Sequence, residues 1–188
     1  MTVFTVDTES FAETEEKKSR FLAFLVPIGQ FDEKLALLKA EHRKASHHVT
    51  AFRRMRDDGR IEESAKDDGE PGGTSGMPVL KSLIGADLVD AGIIVVRYFG
   101  GTKLGTGGLA RAYAGAAGLA IAAARPRPWL RIVRRTVHGD FSVSSDLENR
   151  IQDLDLTVLD RTYSQTGVDI LVEGAEALVG RLGRREEE

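Results

Sequence analysis

The sequence predicts an α+β protein in two parts, and three observations carry that reading. Strand-like and helix-like apolar patterns follow one another along the chain. Fourteen of the 20 glycines lie between Gly59 and Gly118, which concentrates tight turns and close backbone approaches in one region. Arg125-Pro126-Arg127-Pro128 then forms a stiff extended stretch that ends any helix before it. A boundary there gives expected domains of residues 1–125 and 130–188.

In order, residues 21–28 read as a buried strand, followed by a helix from Phe31 with Leu35 and Leu38 at helical spacing. Residues 49–55 form a second strand. The apolar run 93–99, ending in Arg97, Tyr98 and Phe99, reads as a central strand. Residues 107–124 are helical, with Leu109, Tyr113, Ala117, Ile121 and Ala124 along one face and alanines that permit close packing. Beyond the boundary come a strand at 136–141 and a helix with Leu147, Ile151 and Leu154, opened by a Ser145/Glu148 capping box. A hairpin of 156–163 and 168–172 and a last helix at 175–182 complete the chain. The order β-α-β-β-α is that of a ferredoxin-like module lacking its final strand.

The 188 residues suffice for one generous domain or two small ones, and 41% hydrophobic residues exclude a wholly disordered chain. With no cysteine there are no disulfides, thiolate nucleophiles or zinc ribbons, which suits a reducing cytoplasm. No apolar run approaches the ~18 residues of a membrane helix. The acidic N-terminus is unlike a signal peptide. The net charge of −3 is segregated: residues 91–139 carry eight basic groups and no carboxylate, whereas 57–90 and 140–188 are acidic. A long carboxylate-free stretch is a source of positive field that attracts phosphates.

Two glycine-rich segments could carry chemistry. In the first, Asp67, Asp68 and Glu70 precede Gly73, Thr74 and Ser75. Carboxylates so close can hold a hard cation, move protons or build turns, with Thr74 or Ser75 capping a following helix. No nucleophile–base spacing accompanies them, so neither a catalytic residue nor a metal site is assigned. In the second, a strand ending in Arg97, Tyr98 and Phe99 runs into a glycine-dense loop with Lys103 and Gly105 and then into a helix start at Gly107 and Gly108. Outward N–H groups and the helix dipole suit an anion there. Lys103 is followed by Leu104, which excludes a Walker A loop, and no acid stands about 20 residues on to hold a ribose. His47 and His48, just before the strand at 49–55, point to opposite faces and suit one metal poorly. Phe52, Tyr98 and Trp129 could stack on bases, although core packing is their commoner fate.

These segments, with residues 17–21 and the Ala45-Ser46-His47-His48 lead into a strand, closely resemble the IMPACT/YigZ family. The resemblance covers residues 1–125, and the remainder is similar to the small C-terminal domain of bacterial members. It implies an N-terminal left-handed βαβ fold like a small-subunit ribosomal protein and domain IV of the translocation elongation factor. It implies a ferredoxin-like second domain similar to domain V of that factor. Eukaryotic members are linked to translational regulation through a kinase pathway, using an additional N-terminal domain.

The expectation is a non-enzymatic protein, without cofactor, that docks on RNA or the ribosome and modulates translation. Its anion-binding surface comprises Arg97, Lys103, Gly105, Gly107, Gly108, Arg111 and Arg131, with Asp67, Asp68, Glu70, Gly73, Thr74 and Ser75 on the neighbouring loop. The alternative is a small-molecule enzyme with its site between the two loops and the three acids facing Lys103.

Overall fold

A computed structural model of the chain describes residues 2–182. In chain order the elements are β1 (Phe4–Thr5), β2 (Ser10–Glu16), β3 (Ser19–Pro27), α1 (Phe31–Glu41), β4 (His47–Met55), β5 (Ile61–Lys66), α2 (Gly76–Gly85), β6 (Ala91–Tyr98) and α3 (Gly105–Ala122). Then follow β7 (Arg127–Pro128), β8 (Ile132–Asp140), α4 (Ser144–Asp153), β9 (Thr157–Tyr163), β10 (Gly167–Ala175) and α5 (Glu176–Leu182). The protein is of the α+β class. It divides into two compact units, Met1–Trp129 and Leu130–Glu188. Among the described residues, no helix is long and apolar enough to cross a membrane.

The first unit is built on a five-stranded antiparallel sheet of order β2-β3-β6-β4-β5. Its central strand β6 is buried up to Arg97, as expected when both faces are covered. Strand alternation sorts its side chains. Ile94 and Val96, with Leu22, Phe24 and Val26 of β3, pack on Phe31 and Leu38 of α1. Ile93 and Val95, with Phe21, Ala23, Leu25, Val49 and Ala51, pack beneath α2 and α3. Ala116, Ala117 and Ala120 are fully buried, so the small side chains of α3 do bring that helix close to its neighbours.

Both edge strands escaped the sequence reading. β2 pairs with β3 from Ser10↔Leu25 to Glu16↔Ser19, yet no residue of β2 is fully buried and its apolar signal is weak. β5 reads Ile61-Glu62-Glu63-Ser64-Ala65-Lys66 and is held to β4 by the ladder and by Arg53–Glu63 at 2.9 Å. Edge pairing here rests on backbone hydrogen bonds, which leave no periodic trace in the side chains. The Arg125–Pro128 stretch is also more than a join. Its residues Arg127 and Pro128 pair with Thr5 and Phe4, and Arg127 meets Asp7 at 2.6 Å. The Trp129 indole donates to Asp90 Oδ2 at 2.6 Å.

In the second unit β10 lies between β8 and β9, both antiparallel to it. Leu147 and Ile151 of α4 and Val179 and Leu182 of α5 close over Val168, Ile170 and Val172. The expected capping box does not form: α4 begins at Ser144, Ser144 Oγ donates to the Phe141 carbonyl, and Glu148 pairs with Arg161 at 3.0 Å. A cross-element guanidinium offered Glu148 a charged partner, which is stronger than a neutral backbone N–H. The Ser164-Gln165-Thr166-Gly167 turn closes the β9–β10 hairpin, the Ser164 N–H donating to the Gly167 carbonyl at 2.9 Å.

Candidate functional site

The site sits where β6 ends and both glycine-rich segments converge. Register places Phe21, Arg97 and His47 side by side across β3, β6 and β4. Phe21 meets Tyr113 of α3 edge to face at 5.1 Å, and the Arg97 guanidinium lies 5.5 Å from the Phe21 ring. Into this row comes Glu70 from the acidic loop. Its Oε1 accepts from Arg97 at 2.5 Å and from the Tyr113 hydroxyl at 2.7 Å. The Glu70 and Arg97 side chains are 4% and 5% exposed, and His47 Nε2 stands 3.7 Å from the same carboxylate oxygen. Burial, then the hydrogen bond to Glu70, drives the Tyr113 hydroxyl far above its ordinary pKa, so it remains a donor.

The three carboxylates of the loop diverge instead of converging. Asp67 turns toward the start of α2, where it accepts from the N–H groups of Gly73, Ser75 and Gly76 and from the Ser75 hydroxyl. Burial alone would raise its pKa, but the Ser75 hydroxyl and the three N–H groups outweigh it and hold Asp67 at about 2. Ser75 occupies the N-cap position without making a side-chain cap bond, and Thr74 Oγ1 donates to the Pro71 carbonyl. The cap therefore comes from Asp67, eight residues earlier, and neither hydroxyl fills the expected role. Asp68 accepts from the His48 N–H at 2.6 Å, while its own carbonyl bonds His47 Nδ1 at 2.8 Å. A carbonyl only accepts, so Nδ1 carries the proton. Among the described residues, no group of three His, Cys, Asp or Glu side chains is placed to hold a metal ion.

His48 faces the opposite side of β4 from His47, as strand alternation requires. Its Nε2 is buried without a hydrogen-bond partner among the described residues, and desolvation lowers its pKa despite Asp68 and the Leu38 backbone nearby.

Arg97 is the partner of the acidic loop, where Lys103 had been expected. Being buried and bound to Glu70, it belongs to the frame of the site and is not presented to solvent. Lys103 and Arg111 are exposed on and after the 99–104 loop. α3 begins at Gly105 (φ +72°) with no side-chain cap and no acid in its first turn, and Gly107 and Gly108 follow in that turn. Arg131 lies in the second unit, where its guanidinium is 3.7 Å from Glu176.

Two features were not picked out from the sequence as site residues. Lys17 (φ +47°) and Lys18 (φ +67°) form the two-residue turn of the β2–β3 hairpin, a left-handed pair better suited to Asn-Gly. That turn lies against the second glycine segment: a Cβ on Gly100 would fall 2.1 Å from the Lys18 carbonyl carbon. Ser19 Oγ secures the join by accepting from the Gly100 N–H at 3.1 Å. The other feature is Phe99, 49% exposed beside this join.

Residues 17–121 match the Impact N-terminal domain family. The chain belongs to the IMPACT family. It is 32% identical to the Escherichia coli K12 protein called IMPACT family member YigZ, over 79% of this chain and 74% of that one. It is 34% identical to IMPACT family member YvyE of Bacillus subtilis, over 86% and 75%. An IMPACT family member of Haemophilus influenzae is 42% identical, over 54% of this chain and half of that one. A crystal structure of a protein described as hypothetical superposes with a TM-score of 0.68 at 28% identity, covering 96% of this chain and 89% of the other. The segment shared with the family contains Lys17, Lys18, Glu70, Arg97, Phe99, Lys103 and Tyr113, and Arg131 falls outside it.

Proposed function

We propose that this protein binds RNA, free or on the ribosome, as a cytoplasmic modulator of translation that catalyses no reaction. The observation that carries the reading is the basic end of the first unit. The Lys18 backbone packs against Gly100 with Lys17 beside it in the turn, and Lys103 follows three residues after Gly100, all three lysines exposed and without an ion pair among the described residues. Exposed lysines and a helix start free of acids suit phosphate oxygens, while Glu16, next to the turn, offsets part of the charge. Gly105, Gly107 and Gly108 supply close backbone approach, and Arg111 continues the surface along α3.

The fold descriptions support the same reading. The β3–α1–β4 connection returns parallel with β6 between, and we read it as the left-handed βαβ unit of translation-associated domains. The β8-β10-β9 order, with its β-α-β-β-α succession, is read as a ferredoxin-like module short of one strand.

Fluorescence anisotropy with labelled RNA across a salt series tests the proposal. Converting Lys17, Lys18 and Lys103 to Glu should remove binding, and the parent affinity should fall steeply with salt, by about 0.7 in log–log slope per phosphate contacted on a single strand. Affinity flat in salt, or unchanged in the triple variant, would remove this reading.

The alternative, a small-molecule enzyme, draws on the buried Glu70–Arg97–Tyr113 cluster with His47 beside it. It would be favoured if Glu70→Gln abolished binding of a metabolite by a protein that still melts cooperatively.

A further inference from the structure

We propose that Phe99 is a stacking platform for an unpaired base, so that the RNA this surface takes is single-stranded. The inference rests on the RNA reading above and deepens it. The aromatics that the sequence offered for stacking are committed elsewhere. Phe52 packs edge to face on Phe31 at 5.6 Å, the Tyr98 hydroxyl bonds His42 Nδ1 at 2.8 Å, and the Trp129 indole is held by Asp90. Phe99 remains, half exposed on the same loop as Lys103.

Its position is built and not merely left over. The Phe99 N–H donates to Ser46 Oγ at 3.3 Å, and the next N–H, of Gly100, donates to Ser19 Oγ. The Arg97 guanidinium lies 5.6 Å from the ring centroid and is itself fixed by Glu70. An aromatic ring held over a buried cation has one face engaged and little freedom left to lose. Stacking a base on it costs correspondingly little ordering. The half of the ring left in water is apolar surface that a stacked base can cover.

The surroundings set the chemistry of the ligand. Lys18 abuts Gly100, one residue from the ring, and Lys103 is four residues beyond it. An exposed ring on a segment that also carries exposed lysines matches a strand whose bases and phosphates alternate. In a duplex the flat faces of the bases are already stacked on one another, and only the phosphates remain for the lysines.

The test compares single-stranded RNA of about 12 nucleotides with its duplex by anisotropy, the length lying within the usual range of single-strand sites. The proteins are the parent, Phe99→Ala, Phe99→Trp and the lysine triple variant. Phe99→Ala should weaken single-strand binding about 5- to 100-fold and leave duplex binding and the salt slope unchanged, while Phe99→Trp retains or improves it. Should the alanine variant melt early, Phe99→Leu, apolar but without a π face, serves in its place. Undiminished single-strand affinity in Phe99→Ala overturns stacking while lysine-dependent RNA binding stands. Equal losses on strand and duplex also overturn it, since the ring would then support only the loop. A parent that binds neither RNA overturns both readings.

Discussion

Replacing Glu70 by Gln removes one charge and almost no volume from the most buried ion pair of the first unit. Glu70 Oε1 holds Arg97 and the Tyr113 hydroxyl, and the Gln carbonyl can still accept from both. What is lost is the charged character of the Tyr113 hydrogen bond and the counter-charge of a guanidinium only 5% exposed. A charged hydrogen bond contributes about 1 kcal/mol more than a neutral one, so the Tyr113 bond sets a loss of about 1 kcal/mol. Stranding a buried arginine raises this toward 3–5 kcal/mol. We expect a loss of about 3 kcal/mol, which is a fall of roughly 10 °C in melting temperature for a unit of this size. Urea denaturation followed by tryptophan fluorescence reads the first unit through Trp129, the only tryptophan. The Arg97→Met/Glu70→Gln double variant should recover much of the loss, because the Gln carbonyl still accepts from Tyr113 and no guanidinium charge is left stranded. A loss under 1 kcal/mol for Glu70→Gln, or a double variant less stable than either single one, would show that the pair does not hold the two loops together.

Asp67→Ala should destabilise by about 1–2 kcal/mol at neutral pH, the usual cost of a lost helix cap. Because the folded pKa of Asp67 is depressed from 3.8 to about 2, its contribution is full above pH ~4 and disappears as pH falls toward 2. The two proteins' melting curves should therefore converge across that window, and a constant gap would refute the assignment. His48, with its pKa lowered by burial, should behave in the opposite chemical sense and the same pH direction: stability is full above pH ~6.5 and declines below it as the buried imidazole is forced to charge. His48→Leu should flatten this part of the pH profile, and an unaltered profile would refute the account. A chain ending at Arg125 should be less stable than one ending at Leu130 by about 1–3 kcal/mol, since it lacks the β1–β7 pairing and the Trp129–Asp90 hydrogen bond. Equal melting temperatures would return Arg127–Trp129 to the status of a passive join.

Elements whose side chains bear the periodicity of burial were legible in the sequence: β3, β4, β6, α1, α3 and the α4–β9–β10 succession. β6 declared itself through a continuous apolar run, and α3 through apolar and small residues at helical spacing. The two glycine-rich segments were also legible as places of tight backbone approach, because glycine marks backbone that others cannot replace. Gly100 shows why, lying too close to Lys18 to carry any side chain. Tertiary structure decided the rest. Which cation met the acidic loop depended on β6 pairing with β3 and β4, a register that put Arg97 beside Phe21 and His47 and left Lys103 in solvent. The Asp67 cap spans eight residues and the Ser145/Glu148 pattern found no cap at all, since local spacing specifies only what a side chain could reach. Composition likewise could not say which aromatics near the end of β6 stay outside. Phe52 and Tyr98 were claimed by α1 and its end, while Phe99, one residue past the strand, was carried beyond the last helix cover. The physical reason is common to all three: hydrogen-bond partners and burial are properties of neighbours in space, and the chain order fixes those neighbours only after the sheet has paired.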